Sequence, residues 1–138
     1  MIYKSLLKST FNTREPGGFA LAHGVIKRGI MWRSDRLSEY DPDDEQTLLE
    51  RHMTTLIDMR TEDEVRRIPC AYADRQGFDY HHCAITEGSM PPSSLDEVPV
   101  SYMSIALSDG MREVFKTAAA LMLSVCGADR RDSWVITP

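Results

Sequence analysis

Short apolar runs recur along the chain, separated by polar segments of varied length. Residues 54–59 form a short run rich in β-branched side chains, which is typical of a buried parallel strand. Residues 29–32 and 78–85 are two further strand candidates. Residues 132–137, near the end of the chain, also have the pattern of a strand.

Two helix starts are visible between these strands. Asp41 is suited to cap a helix whose first position is Pro42, and the acidic residues that follow face the positive end of the helix dipole. Thr61 and Glu64 form a capping box, which predicts the start of a second helix.

The last third of the chain has a different pattern. Residues 87–99 are rich in proline, glycine and serine, which indicates a surface loop or a lid. Residues 100–107 and 111–123 have helical patterns. The second of these carries one broad apolar face, which consists of Val114, Phe115, Ala118, Ala119, Leu121 and Met122.

Strands that alternate with helices predict an α/β fold with a mainly parallel central sheet flanked by helices. A length of 138 residues fits one domain over residues 1–138. Sites in such folds lie at the carboxyl ends of the strands. Two polar clusters are expected there, residues 33–35 and residues 58–60, with Arg33 and Asp58 at neighbouring strand ends.

Composition and charge narrow the possible partners. The net charge of −5 argues against a nucleic-acid binder, which usually carries a basic face, although one anion could still bind in a local basic pocket. No stretch approaches the roughly 20 apolar residues of a membrane span, and the start of the chain lacks the apolar core of a signal peptide. We therefore expect a cytoplasmic protein whose three cysteines are reduced.

His81 and Cys83 could share one face of a strand, but two ligands do not make a closed zinc site. Neither a CxxC nor an HExxH motif supplies further ligands. No metal site is predicted.

Three blocks follow one another along the chain. Residues 11–19 read FNTREPGGF, residues 27–38 read KRGIMWRSDRLS, and residues 55–64 read TLIDMRTEDE. They resemble the blocks NFRDLGGY, RPGLLYRSDALS and TVIDLRSEEE of bacterial tyrosine phosphatases. That family includes the secreted mycobacterial and Listeria lipid and protein phosphatases. The resemblance covers about residues 10–120.

This resemblance implies a phosphotyrosine-phosphatase-like fold and a cysteine-dependent phosphatase of the dual-specificity type, with no cofactor. The family signature is His-Cys-x5-Arg, in which a thiolate attacks phosphorus and backbone N–H groups encircle the phosphate. The arginine binds two phosphate oxygens, and an aspartic acid protonates the leaving oxygen. The implied partners are a phosphorylated protein or phospholipid substrate and a phosphate-like anion.

The signature is not intact in this chain. Cys126 is the candidate nucleophile, but three residues separate it from Arg130 and four from Arg131. Residues 127–130 read GADR and resemble the family's GKDR, which matches Asp129 and Arg130 to the loop aspartate and arginine. The candidate phosphate clamp is therefore Arg130 or Arg131.

Asp58 and Arg60 are the other candidate site residues. Asp58 is an alternative to Asp129 as the general acid, and Arg60 is a candidate phosphate-binding residue. In the competing interpretation, Arg60 pairs with a carboxylate and holds the sheet edge. Residues 33–35 are expected to form a hydrogen-bonded cluster that supports the site.

Two hypotheses remain open. The first is an enzyme that hydrolyses phosphate monoesters, and the second is an inactive phosphatase fold that binds a phosphorylated partner or has no catalytic role. Relatives continue beyond the signature, so we expect the C-terminal part, from about residue 121, to be missing or altered by truncation, frameshift or degeneration. Loss of that part would expose the apolar face of residues 111–123, which predicts a homodimer or poor solubility.

Overall fold

The computed structural model describes residues 4–86, 93–125 and 133–137. A hairpin of two short strands, β1 (Ala20–Leu21) and β2 (Gly24–Val25), precedes the main sheet. The strands of the main sheet are β3 (Met31–Arg33), β4 (Met53–Asp58), β5 (Asp79–His82) and β6 (Ser133–Thr137). The helices are α1 (Pro42–Glu50), α2 (Glu62–Arg67), α3 (Val98–Ala106) and α4 (Asp109–Val125), and one 3₁₀ turn spans Leu95–Glu97.

The main sheet has the order β3-β6-β4-β5, and all three pairings are parallel. This confirms the predicted α/β fold with a mainly parallel sheet flanked by helices. The strand predicted at residues 132–137 is also confirmed. It lies inside the sheet, between β3 and β4, where both of its edges find hydrogen-bond partners.

Both predicted helix starts are confirmed. The Asp41 side chain accepts hydrogen bonds from the backbone N–H groups of Asp43 and Asp44. In the second start, Thr61 and Glu64 each accept a hydrogen bond from the other's backbone N–H. Each cap uses side chains within three residues of one another, so the sequence alone is sufficient to reveal it.

The main core lies on the face of the sheet that α1 covers, which we call the closed face. It consists of Leu7, Trp32, Leu37, Leu48, Met53, Leu56, Tyr72 and Val135, all buried. On the other face, which we call the open face, Ile57 packs with Val114 of α4. Side chains alternate between the faces along β4, so Leu56 and Asp58 belong to the closed face and Ile57 to the open one.

The predicted apolar face of residues 111–123 is divided in the structure. Val114 is buried against the sheet, whereas Phe115 is 67% exposed. The helix α3 has an apolar sequence, yet none of its residues is buried. No helix in the part of the chain that the structure describes is long and apolar enough to cross a membrane.

Candidate active site

The carboxyl ends of the strands meet at one edge of the main sheet, held by backbone hydrogen bonds. The N–H of Ser34, just after β3, donates to the carbonyl of Ile136 at 2.9 Å. The N–H of Met59, just after β4, donates to the carbonyl of Thr137 at 2.8 Å. The residues that follow β3 and β4 are therefore both attached to the end of β6. We call this the carboxyl edge.

One expectation about this edge is wrong. Arg33 and Asp58 do not lie at neighbouring strand ends, because β6 separates their strands. Arg33 pairs with Ile136, and Asp58 pairs with Thr137. The backbone groups of β6 pair with both neighbours, so β3 and β4 each meet β6 and not each other.

Asp58 and Arg60 form a buried ion pair at the carboxyl edge. The Asp58 carboxylate accepts hydrogen bonds from Nε and Nη2 of Arg60 at distances between 2.7 and 3.2 Å. It also accepts from the Arg60 backbone N–H at 3.1 Å and from the Tyr80 hydroxyl at 2.9 Å. Asp58 is 2% exposed and Arg60 is 6% exposed.

These contacts determine the protonation state of Asp58. Burial alone would raise the pKa of its carboxyl, but the hydrogen bonds from Arg60 and Tyr80 outweigh burial and lower that pKa below its ordinary value. The Asp58 carboxylate in turn raises the pKa of Arg60. Burial, with the same carboxylate beside it, raises the pKa of Tyr80. Asp58 is therefore an ionised acceptor with its oxygens engaged, as in the interpretation that Arg60 pairs with a carboxylate.

The turn after β4 is tied to two other elements. Nη1 of Arg60 donates to the carbonyl of Ile68, at the end of α2, at 2.8 Å. Nε2 of His82, the last residue of β5, lies 2.7 Å from the Arg60 carbonyl, so it carries the proton and donates. The Arg60 backbone and side chain are therefore both fixed.

A chain of hydroxyl groups supports the β3 side of the carboxyl edge. Hydroxyl oxygens of Ser5 and Thr10 lie 2.8 Å apart, those of Thr10 and Thr13 2.5 Å, and those of Thr13 and Ser34 2.6 Å. Thr10, Thr13 and Ser34 are buried. Buried hydroxyls need partners, and these satisfy one another.

Two of the three residues in the cluster expected at residues 33–35 form side-chain hydrogen bonds that support the carboxyl edge. Ser34 ends the hydroxyl chain, and the Asp35 carboxylate accepts from the backbone N–H groups of Phe11 and Asn12 at 3.0 and 3.2 Å. Arg33 differs, since it is exposed and joins the cluster through backbone hydrogen bonds with Arg14. The N-terminal partners of Ser34 and Asp35 were not predicted.

A family model described as the tyrosine phosphatase family matches residues 6–130. The chain belongs to the tyrosine phosphatase family. The match includes all three blocks that carry the resemblance, and it supports a phosphatase function. A search of curated proteins finds no match.

The phosphatase's candidate catalytic loop lies outside the described residues. This applies to Cys126, Asp129, Arg130 and Arg131, whose assigned roles stay predictions. They precede β6 in the chain, and the first residue of β6 pairs at the amino end of β4.

The other thiols and histidines of the phosphatase have their own contacts. Cys83 Sγ lies 3.6 Å from the Thr117 hydroxyl, and His81 Nε2 lies 2.9 Å from the Asp79 carboxylate. Burial raises the pKa of the Cys70 thiol, which disfavours its thiolate. Within residues 4–86, 93–125 and 133–137, no three His, Cys, Asp or Glu side chains are placed to hold a metal ion.

Proposed function

We propose that this member of the tyrosine phosphatase family hydrolyses phosphate monoesters through a cysteinyl-phosphate intermediate. The observation that carries the proposal is the match of the tyrosine phosphatase family model to residues 6–130, in a chain whose main sheet is parallel and flanked by helices.

In the proposed reaction, the Cys126 thiolate attacks phosphorus. A sulfur–phosphorus bond forms, and the bond from phosphorus to the leaving oxygen breaks. Asp129 gives that oxygen its proton, and then takes a proton from the water that hydrolyses the thiophosphoryl group. Arg130 or Arg131 binds two oxygens of the phosphoryl group and offsets its charge, so no cofactor is needed.

Asp58 has a different role in this proposal. A general acid must carry a proton before the reaction, and the hydrogen bonds to Asp58 favour its ionised form. We therefore assign the acid role to Asp129. Asp58 and Arg60 hold the turn after β4 in place, as positioning residues.

The proposed substrates include phosphorylated proteins and phospholipids, as expected for dual specificity. Parallel assays with phosphotyrosine, phosphoserine and phosphoinositide substrates distinguish these classes. A preference of more than about tenfold for one class, equal to about 1.4 kcal/mol in transition-state binding, would restrict the proposal to that class.

Hydrolysis of para-nitrophenyl phosphate tests the activity and the nucleophile together. We expect the wild-type protein to be active and Cys126→Ser to lose activity by about 10³-fold or more, because serine is a far poorer nucleophile. Cys83→Ser is the matched control. It removes another free thiol, one that follows β5, and should keep wild-type activity.

Two results would contradict the proposal in different ways. Wild-type activity in Cys126→Ser would mean that another group is the nucleophile. No activity in a wild-type protein shown to be folded by circular dichroism would rule out catalysis. It would then favour the alternative, an inactive phosphatase fold that binds a phosphorylated partner.

A further inference from the structure

A small pocket with several arginines opens beside the carboxyl edge. Its volume is about 110 Å³. Its walls come from the residues after β3, from the turn after β4 and from α2. We call it the arginine pocket, and it is lined by Arg36, Arg60, Glu64, Arg67 and Ile68.

Arg60 forms the buried wall of the arginine pocket. Its charge is balanced by Asp58, to which Nε and Nη2 donate, while Nη1 donates to the Ile68 carbonyl. A guanidinium group has five N–H bonds, so three are used and two remain. No acceptor among the described residues receives those two. Such buried N–H bonds favour an oxygen-rich ligand or water.

The other two arginines, Arg36 and Arg67, make no ion pair with a carboxylate among the described residues. Arg36 has no ion pair within the described part of the chain, and Arg67 donates only to the backbone carbonyl of Asp63, at 3.3 Å. Arg66, on the same helix, shows the contrast, because it pairs with the Asp63 carboxylate at 3.0 Å. The chain as a whole has a net charge of −5, so this concentration of arginines is local.

Glu64 is the one carboxylate in the lining, and its oxygen is already engaged. Oε2 of Glu64 accepts from the backbone N–H and the hydroxyl of Thr61 at 2.8 and 2.7 Å. These bonds lower the pKa of Glu64, so it stays ionised and opposes an anion in the pocket. Because Asp58 balances the charge of Arg60, the remaining charges of the pocket are those of Arg36 and Arg67 against that of Glu64, a net charge of +1.

We propose that the arginine pocket binds a phosphate-type oxyanion. Arginine forks match the geometry of phosphate oxygens, and the volume is sufficient for one such group. Arg36 and Arg67 are exposed, so an anion can enter from solvent. The anion is either free phosphate or a second phosphate on the substrate. Binding of the anion itself does not depend on catalysis.

Titration of the wild-type protein with inorganic phosphate tests the pocket without turnover. We expect saturable shifts of the arginine Nε–Hε signals in NMR spectra, and a dissociation constant about tenfold higher in Arg36→Gln and in Arg67→Gln. Arg66→Gln is the matched control and should bind as the wild type does. Glu64→Gln should bind several-fold more tightly, because glutamine keeps the helix cap and removes the opposing charge.

Three results would overturn the proposal. The first is an absence of saturable phosphate binding, and the second is equal weakening by Arg66→Gln, which would indicate only general attraction between charges. The third is binding that Arg130→Gln abolishes but Arg36→Gln and Arg67→Gln leave unchanged, because the anion would then occupy the proposed catalytic loop. None of these readouts requires hydrolysis, so they separate this inference from a failure of the proposed function.

Kinetics with two substrates then identify the source of the anion. If it is a second phosphate on the substrate, Arg67→Gln should raise the KM for a bisphosphorylated substrate and leave that for para-nitrophenyl phosphate unchanged. If free phosphate is the ligand, added phosphate should bind equally in the presence and absence of a bisphosphate. Either result supports the arginine pocket as an anion site.

Discussion

The two faces of the main sheet are packed very differently. On the closed face, eight buried apolar side chains make one continuous core between the sheet, α1 and the N-terminal segment. On the open face, the fully buried apolar side chains of the cluster, among the described residues, are Ile57 and Val114, and seven partly buried apolar side chains pack against them. Large apolar side chains remain exposed on α3, just after α3 and on α4, among them Val100, Tyr102, Met103, Leu107 and Phe115.

The polar groups that shape the carboxyl edge are attached to the closed face. Asp58 lies on the same face as Leu56, and Tyr80, which donates to Asp58, packs against the closed-face core. The geometry of the edge therefore depends on that core. The open face has fewer fully buried side chains, so changes at its exposed side chains should cost less stability.

The largest effect should come from breaking the buried ion pair. Asp58→Asn removes the carboxylate and leaves Arg60 buried with an unpaired charge, which should lower the free energy of unfolding by about 3–5 kcal/mol. Urea denaturation followed by circular dichroism measures the change. Asp63→Asn is the control, because it breaks an exposed pair with Arg66 and should cost less than about 1 kcal/mol. Equal losses of unfolding free energy in Asp58→Asn and Asp63→Asn would mean that burial does not make the Asp58–Arg60 pair more important than an exposed pair.

The same pair gives a pH dependence. The folded-state pKa of Asp58 is lowered, so its contribution to stability is complete above the unfolded pKa of about 3.9 and is lost as the pH falls through the lower, folded value. The free energy of unfolding should therefore decrease on acidification below about pH 4, and decrease less steeply in Asp58→Asn. Identical slopes in the two proteins would exclude this contribution.

Two apolar truncations compare a buried side chain of the closed face with an exposed side chain of α4. Leu56→Ala, at a side chain 2% exposed on the closed face, should cost about 2–5 kcal/mol of unfolding free energy because it leaves a cavity. Phe115→Ala, at a side chain 67% exposed, should cost less than about 1 kcal/mol. The same urea titrations provide both values. A larger cost for Phe115→Ala would mean that the open face is covered in solution.

The smallest effect concerns self-association, since we propose that the chain forms a homodimer through the open face. In sedimentation velocity, the fraction of the protein that is dimeric should rise with protein concentration. Phe115→Glu should raise the dissociation constant of the dimer about tenfold, which corresponds to about 1.4 kcal/mol. Phe11→Glu is the control, because Phe11 is 92% exposed at the N-terminal segment. A wild-type protein that stays monomeric at high concentration would refute the homodimer.

The features predicted well from the sequence are local ones. The caps at Asp41 and Thr61 use side chains two or three residues from their partners, and each strand of the main sheet could be identified from its own composition, whereas the hairpin strands β1 and β2 were not predicted. The position of β6 between β3 and β4 depends on pairings over more than 70 residues, which no local pattern encodes. That is why Arg33 and Asp58 were expected at neighbouring strands.

The same difference between local and long-range features applies to the candidate site. Residues 58–60 were placed at a strand end from the sequence, but the choice between a phosphate ligand and an ion pair for Arg60 needed three-dimensional contacts. The link from Ser34 to Thr13 joins segments 21 residues apart, and the arginine pocket joins Arg36 to α2. These sites can be identified only once the fold is known, because their residues are not related by a regular spacing in the sequence.

The central position of β6 also has a consequence for biosynthesis. The strands β3, β4 and β5 are complete by residue 82, yet β3 and β4 share no hydrogen bonds and are joined by residues 133–137. Until those residues leave the ribosome, β3 and the β4–β5 pair present unpaired edges that can aggregate. Sheet closure therefore waits for residues 133–137, and a nascent chain would gain from a chaperone that shields its strand edges until those residues have emerged.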